Sequence, residues 1–247
     1  MPRIYTPHIL ASGLELDLDP ASARHVQVLR MQPGGVITLF NGQGGEYAAT
    51  VTHMGRSDVR VQVGAHAPTE RENPRPIHIA IGIPANERME WLIEKATELG
   101  ASSIQPLMTE RSVVRLSGER AEKKQTHWQA IAVAACEQSG RNRVPRVHAI
   151  QTLQAWLAAT GQRGAAQRGV FSVHSASVSA QAFAAHSDMA IECLCGPEGG
   201  LGPTEEASAM AQGFALVDLG PRVLRSETAP LAALSLWALT SYRKDTV

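Results

Sequence analysis

The sequence predicts an α/β protein: a parallel-sheet domain with helices on both faces, preceded by a small β-rich domain. Three observations predict it. Short apolar runs separated by glycine- and proline-bearing turns fill residues 4–67, a charged proline-containing stretch follows, and from residue 77 the pattern alternates strand, helix, strand. Such alternation specifies parallel strands joined by crossover helices.

The elements follow in order. VITLF (36–40), EYAATV (46–51) and VRVQV (59–63) read as strands, with tight turns at PGG (33–35) and NGQGG (41–45) and one helix over 20–29. APTERENPRP (67–76) has no apolar periodicity and reads as the linker between a domain spanning 1–70 and one spanning 77–247. IHIAIGI (77–83) is a buried strand, after which Met89, Leu92, Ile93, Ala96 and Leu99 share one helical face ahead of Gly100. SIQPLMT returns as a second strand, and a long helix covers 118–138. Strand-like VHAI (147–150) and VFSV (170–173) precede helices at 153–159 and 178–185. AIECLC (190–195) then leads into the loop GPEGGLG (196–202), and a second loop, LGPRVLRSETA (219–229), follows another apolar run.

Composition bounds the function. The chain has 247 residues, 44% hydrophobic and 19% charged, as expected of a globular protein with ample core. Its longest apolar stretches are broken by serine and fall short of the about 18 residues a membrane span needs. MPRIYTPHIL lacks a basic region, apolar run and cleavage site, so a cytoplasmic location is expected. Cys136, Cys193 and Cys195 read as buried, reduced thiols, because no second ligand pair at metal-site spacing accompanies them. A formal net charge of zero argues against a uniformly nucleic-acid-binding surface, yet residues 111–146 hold eight basic and three acidic residues. Arg120, Lys123 and Lys124 suit a solvated helix face. Arg141, Arg143 and Arg146, in the turn-rich GRNRVPR, point instead to an RNA or cofactor-side role.

The two C-terminal loops carry the chemistry. GPEGGLG lacks the GxGxxG fingerprint, the P-loop Lys-Ser/Thr and the GxSxG elbow. What remains is backbone: Gly196, Gly199 and Gly200 admit positive φ and close ligand approach, while Pro197 fixes the turn. Gly202-Pro203 starts a helix with Glu205 and Glu206 in its first turn. Two such loops at the C-terminal edge of one sheet suggest a pocket for a flat polar cofactor, with Glu198, Arg222, Arg225 and Glu227 as its charged candidates.

GPEGGL, LGPRVLRSETA, EQSGRNRVP (137–145), EKATELG (94–100), ERSVVR (110–115), MPRIY and RHVQVLRMQPGG together resemble the RsmE family, the bacterial ribosomal RNA small-subunit methyltransferases E. The resemblance runs from residue 2 to about residue 243. It implies a SPOUT-type trefoil-knotted parallel-sheet domain preceded by a small PUA-like β-barrel domain. The implied reaction is S-adenosylmethionine-dependent methylation of N3 of a uridine in 16S rRNA, within an assembled small subunit, by a homodimer that needs no metal and no membrane. The cofactor is then expected at His174, Cys195, Gly196, Pro197, Glu198, Gly199, Gly200, Leu201, Leu219, Gly220, Val223, Leu224, Arg225 and Thr228. RNA contacts are expected from Arg3, Arg24, Arg30, Arg111, Arg115, Arg141 and Arg143. Two positions depart from the family pattern: Gly202 stands where a Ser or Thr cap is usual, and Pro230 where a small residue is expected.

Loss of the N3 proton spreads negative charge onto O2 and O4 of the base, and arginine donors favour that anion. Arg225 and Arg222 are the candidates for this work. Glu198 is a candidate proton acceptor or backbone-amide ligand. Because N3 lies on the Watson-Crick edge, the base must be unpaired or flipped. Two rivals are a SPOUT methyltransferase with another RNA target and a non-catalytic ribosome assembly factor.

Overall fold

The computed structural model describes residues 1–173, 176–185 and 187–241. The chain divides into two compact units, one of residues 1–72 with 133–144, the other of residues 73–132 with 145–247.

The first unit is a five-stranded sheet of β1 (Arg3–Tyr5), β2 (Glu15–Asp17), β3 (Val36–Phe40), β4 (Glu46–Met54) and β5 (Val59–Ala67), ordered β1-β3-β4-β5-β2. Only the β1–β3 pair is parallel. Alternation decides its inner face: Val59, Val61 and Val63 are buried with Ile4, Ile37 and Leu39, while Arg60 between them is exposed. Helix α1 (Pro20–Val28) starts where Asp19 Oδ1 accepts from the N–H groups of Ala21 and Ser22, each at 3.1 Å, with Pro20 at its first position.

The second unit carries an eight-stranded sheet whose recorded pairings are all parallel. Its strands are β6 (Ile77–Gly82), β7 (Ser103–Met108), β8 (Arg146–Val147), β9 (Gln151–Thr152), β10 (Ala166–Phe171), β11 (Val178–Ser179), β12 (Ala190–Cys195) and β13 (Ala215–Asp218). The order is β11-β13-β10-β12-β6-β7-β8, with β9 also on β7. Helices α2 (Asn86–Glu98), α3 (Gly118–Ser139, whose residues 133–139 belong to the first unit), α4 (Leu153–Ala158), α5 (Ala180–Ala184), α6 (Pro203–Ala211) and α7 (Thr228–Ser241) connect or follow the strands. Ile77, Ile79, Ile81, Ile191 and Leu194 lie in the core, the near-continuous apolar burial that a sheet covered on both faces requires.

Three expectations shift. VHAI is strand only at Arg146–Val147, and β10 covers Ala166–Phe171, so its strand begins four residues ahead of VFSV and leaves Val173 exposed. Val178–Ser179 is a short strand, after which Ser179 caps α5 by accepting from Ala182 N at 3.2 Å. The stretch read as the linker, residues 67–76, is held by side-chain bonds. Arg71 donates to the Gly140 carbonyl at 2.8 Å, and Arg75, 6% exposed, donates to the carbonyls of Met189 and Ala184 and to Gln167 Oε1. Burying a guanidinium demands acceptors on all sides, and backbone carbonyls provide them here.

Candidate active site

Strands β10, β12 and β13 lie side by side and end together, so the loops leaving β12 and β13 meet at one sheet edge. Between them is a cleft of about 470 Å³. It is lined by Cys195, Gly196, Pro197, Glu198, Gly199, Gly200 and Leu201 from the first loop, and by Leu219, Gly220, Arg222, Val223 and Leu224 from the second.

Backbone proximity shapes the first loop. Gly200 sits at φ 69° with its N–H on the Pro197 carbonyl at 2.8 Å, and a Cβ at Gly196 would stand 2.5 Å from the Gly200 carbonyl carbon. A Cβ at Gly82, the last residue of β6, would stand 2.5 Å from Pro197 Cδ. Three side chains then clamp the loop. Arg111 Nη1 donates to the Gly199 carbonyl at 2.7 Å. Glu205 accepts from the N–H of Gly202 at 2.9 Å and from that of Glu110 at 2.8 Å, so a carboxylate three residues on serves the helix start that Gly202 lacks a side chain to cap. Glu198 Oε1 accepts from Ala85 N–H at 2.9 Å and from Arg88 Nη1 at 3.0 Å. Burial works to raise the Glu198 carboxyl, but those two donors outweigh it and hold the group below the usual carboxylate range. Of its two expected roles, the geometry satisfies the backbone-amide ligand; a carboxylate so held is a weak base.

The second loop is tied less tightly. Gly220, at φ 96°, donates its N–H to Asp218 Oδ1. Ser226 Oγ donates to Glu227 Oε2 at 3.0 Å, and Arg88 Nε lies 3.9 Å from Glu227 Oε1. Arg88 therefore faces carboxylates of both loops. Arg222 and Arg225 are exposed, and neither forms a hydrogen bond or ion pair through its side chain among the described residues. Arg222 lines the cleft; Arg225 and Thr228 are outside its lining, and His174 lies outside the described residues. Burial and the neighbouring Cys193 thiol push Cys195 well above its ordinary value, so it is a packed, protonated wall.

The arginines expected on RNA part company. Arg24 and Arg30 are exposed and form no side-chain hydrogen bond or ion pair among the described residues, Arg115 reaches the Glu110 carbonyl, and exposed Arg143 pairs with Glu70 at 3.2 Å. Arg141 is corrected: at 3% exposure its guanidinium is bonded to Glu72. Arg3 is corrected likewise, with bonds to Glu46 at 2.6 Å and Asn142 Oδ1 at 2.5 Å and its guanidinium 4.9 Å from the Phe40 ring centre. Carboxylates on β4 and in residues 67–76 engage both guanidinium groups.

Sequence reasoning missed Arg88, Phe171, Ser172, Val173 and Ser226 at this site. Arg88 carried a signal: a cation in the first turn of a helix directly after a buried strand, at the sheet edge where α/β sites form.

A family model for the RNA methyltransferase domain matches residues 71–238, and one for the RNA methyltransferase PUA domain matches residues 18–64. The chain belongs to the RNA methyltransferase family of small-subunit type E. It is 37% identical to ribosomal RNA small subunit methyltransferase E of Bacillus subtilis over 85% of this chain and 84% of that protein. The Synechocystis enzyme of the same name is 33% identical over 88% and 71%. Among solved structures, the Neisseria gonorrhoeae methyltransferase E bound to S-adenosyl methionine superposes with a TM-score of 0.88 at 37% identity, covering 95% of this chain and 96% of that one. A putative Legionella pneumophila methyltransferase in complex with the same cofactor gives 0.88 at 34% identity, covering 96% and 97%. In this chain the two glycine loops line one cleft, and Arg88 engages Glu198 of the first loop and faces Glu227 of the second.

Proposed function

We propose that this protein methylates N3 of a uridine in the 16S rRNA of the small ribosomal subunit, with S-adenosylmethionine as donor. The observation that carries this is the convergence of both glycine loops on one cleft with the unpaired guanidinium of Arg222 at its lining. The residues fit the donor. Gly196, Gly199, Gly200 and Gly220 put backbone rather than side chains on the lining, apolar walls come from Leu201, Leu219 and Leu224, and the volume suits a ligand of that size. The chemistry supplied there is an electrophilic sulfonium methyl.

The chain's own residues do the remainder. Arg222 and Arg225 meet the charge that develops on O2 and O4 as the N3 proton leaves, and an exposed, unpaired guanidinium is free to do so. Glu198, Arg88 and Glu227 hold the loops, so base and methyl are aligned before reaction. Glu198, bonded to the Ala85 N–H and to Arg88, serves to hold the loop rather than to take the N3 proton. Exposed Arg24 and Arg30 on the first unit, and Arg115 on the second, supply phosphate contacts.

The same reading includes a trefoil knot in the C-terminal part, an isologous homodimer acting on the assembled subunit, a closed barrel in the first unit and a cytoplasmic location. Support for the knot comes from strand order: β12 lies between β6 and β10, while the later β13 lies beyond β10. Mass spectrometry of 16S rRNA from a strain lacking the protein tests the function. One uridine should lose its N3 methyl and regain it on complementation; full methylation in the deletion overturns the proposal. Titration with S-adenosylmethionine separates an assembly factor, which would not bind it.

A further inference from the structure

Helix α4 packs on one face of the eight-stranded sheet. Trp156 and Leu157 of α4 cluster with Val170 and Leu194, toward the C-terminal ends of the strands. Toward the N-terminal ends lies a second cleft of about 690 Å³, lined among others by His78, Ser103 and Ala190, at the opposite strand ends from the glycine loops.

Strand register lays one polar row across this face. Arg168 is paired with Glu192, Glu192 with His78, His78 with Ser103 and Ser103 with Arg146, so side chains of β10, β12, β6, β7 and β8 stand on the same side. One end of the row is neutralised. Glu192 takes Arg168 at 2.8 Å and Arg163 at 2.7 Å, and the Arg163 guanidinium lies 4.2 Å from the Trp156 ring centre. The other end is not. Arg146 is exposed and pairs with no carboxylate among the described residues. Beside it His148 lines the cleft, and His78 Nδ1 lies 2.8 Å from Ser103 Oγ.

Burial lowers both imidazoles; Arg146 and His78 push His148 further down, and Glu192 opposes the shift at His78. Both rings are therefore neutral near pH 7, each with an N–H to donate. Donors and positive charge converge here, while Glu192, the carboxylate of this lining, is already engaged by Arg163 and Arg168. Next to them, small side chains at Ala80, Ala159, Ala165, Ala166 and Ala190 leave a hollow with apolar walls.

We propose that this cleft binds a small organic anion, a phosphate or carboxylate head on a flat apolar body, with the head on Arg146, His148 and Ser103 and the body among the alanines beside Trp156. A charged head here gains charge-assisted hydrogen bonds, and a flat body displaces water from apolar walls. The inference stands apart from methyl transfer, which uses the other edge of the sheet.

Phenyl phosphate and benzoate are the probes, with phenol as the neutral counterpart. The full-length protein is titrated with each while the imidazole signals of His78 and His148, assigned through His78→Gln and His148→Gln, are followed by NMR. Saturable shifts of both signals are expected with at least one anion at a dissociation constant below about 1 mM. Phenol should bind at least about tenfold more weakly, and the stronger anion identifies the head. Arg146→Ala should weaken binding about tenfold, with partial recovery in Arg146→Lys; unchanged signals from the other histidines show that the variants fold. No saturable shift with either anion, equal binding of phenol, or wild-type affinity in Arg146→Ala overturns the assignment.

Discussion

Two arginine-bearing loops of this chain have opposite fates. In residues 140–144 Arg141 is buried on Glu72, Asn142 donates to Glu46 and to the Thr69 carbonyl, and Arg143 pairs with Glu70. In residues 219–227 Arg222 and Arg225 stand in solvent without partners among the described residues. The residue type is the same; the supply of carboxylates differs. Glu46, Glu70 and Glu72 all reach the first loop. Near the second, Arg88 engages Glu198 and faces Glu227, so neither carboxylate is left to neutralise Arg222 or Arg225. An arginine is available for a substrate only where other cations have already satisfied the neighbouring acids.

The largest test of that contrast is Arg141→Ala, which strands the Glu72 carboxylate. It should lower the free energy of unfolding by about 3 kcal/mol in urea titration, with turnover of the folded fraction little changed. A stability near wild type would break the contrast from its buried side. Arg222→Ala and Arg225→Ala should do the reverse: kcat falls about 10²-fold, cofactor affinity holds within about threefold, and stability moves by less than about 0.5 kcal/mol. Wild-type turnover in both would remove their proposed role. Arg88→Ala frees two carboxylates beside the cleft, and kinetics should show the donor KM rising about tenfold together with a lower kcat.

The smallest effect is a pH dependence confined to the buried loop. Burial works to raise the Glu46 carboxyl, but bonds from Arg71, Arg3 and Asn142 bring it down to about 2, from an ordinary 4.5. The folded value is depressed, so this stabilisation is complete above about pH 4.5 and fades as pH falls toward 2. Acid unfolding of Glu46→Gln should accordingly be flatter than wild type across that window; identical profiles would show that the Glu46 cluster contributes nothing.

Much of this was legible in the residues. Alternation in VRVQV, the helical face of Met89, Leu92, Ile93 and Ala96, and the glycines at 196 and 200 report local geometry, and each falls where its period, its positive φ or its missing Cβ requires; Gly199 takes no positive φ. The lining of the cleft by both loops follows from motif order and the sheet-edge rule. Arg141 and Arg3 were misjudged because their partners are 69 and 43 residues away, and no local pattern announces a pair at that separation.

By itself the sequence determined the α/β class, the order of the elements, the family and the two loops at the site, because periodicity, turn chemistry and backbone freedom act over a few residues. Only the tertiary structure decided which charges cancel. Ion pairing depends on distances between residues far apart in the chain, and strand register and packing bring Glu72 to Arg141 and the loop carboxylates to Arg88, leaving Arg222 and Arg225 unpaired.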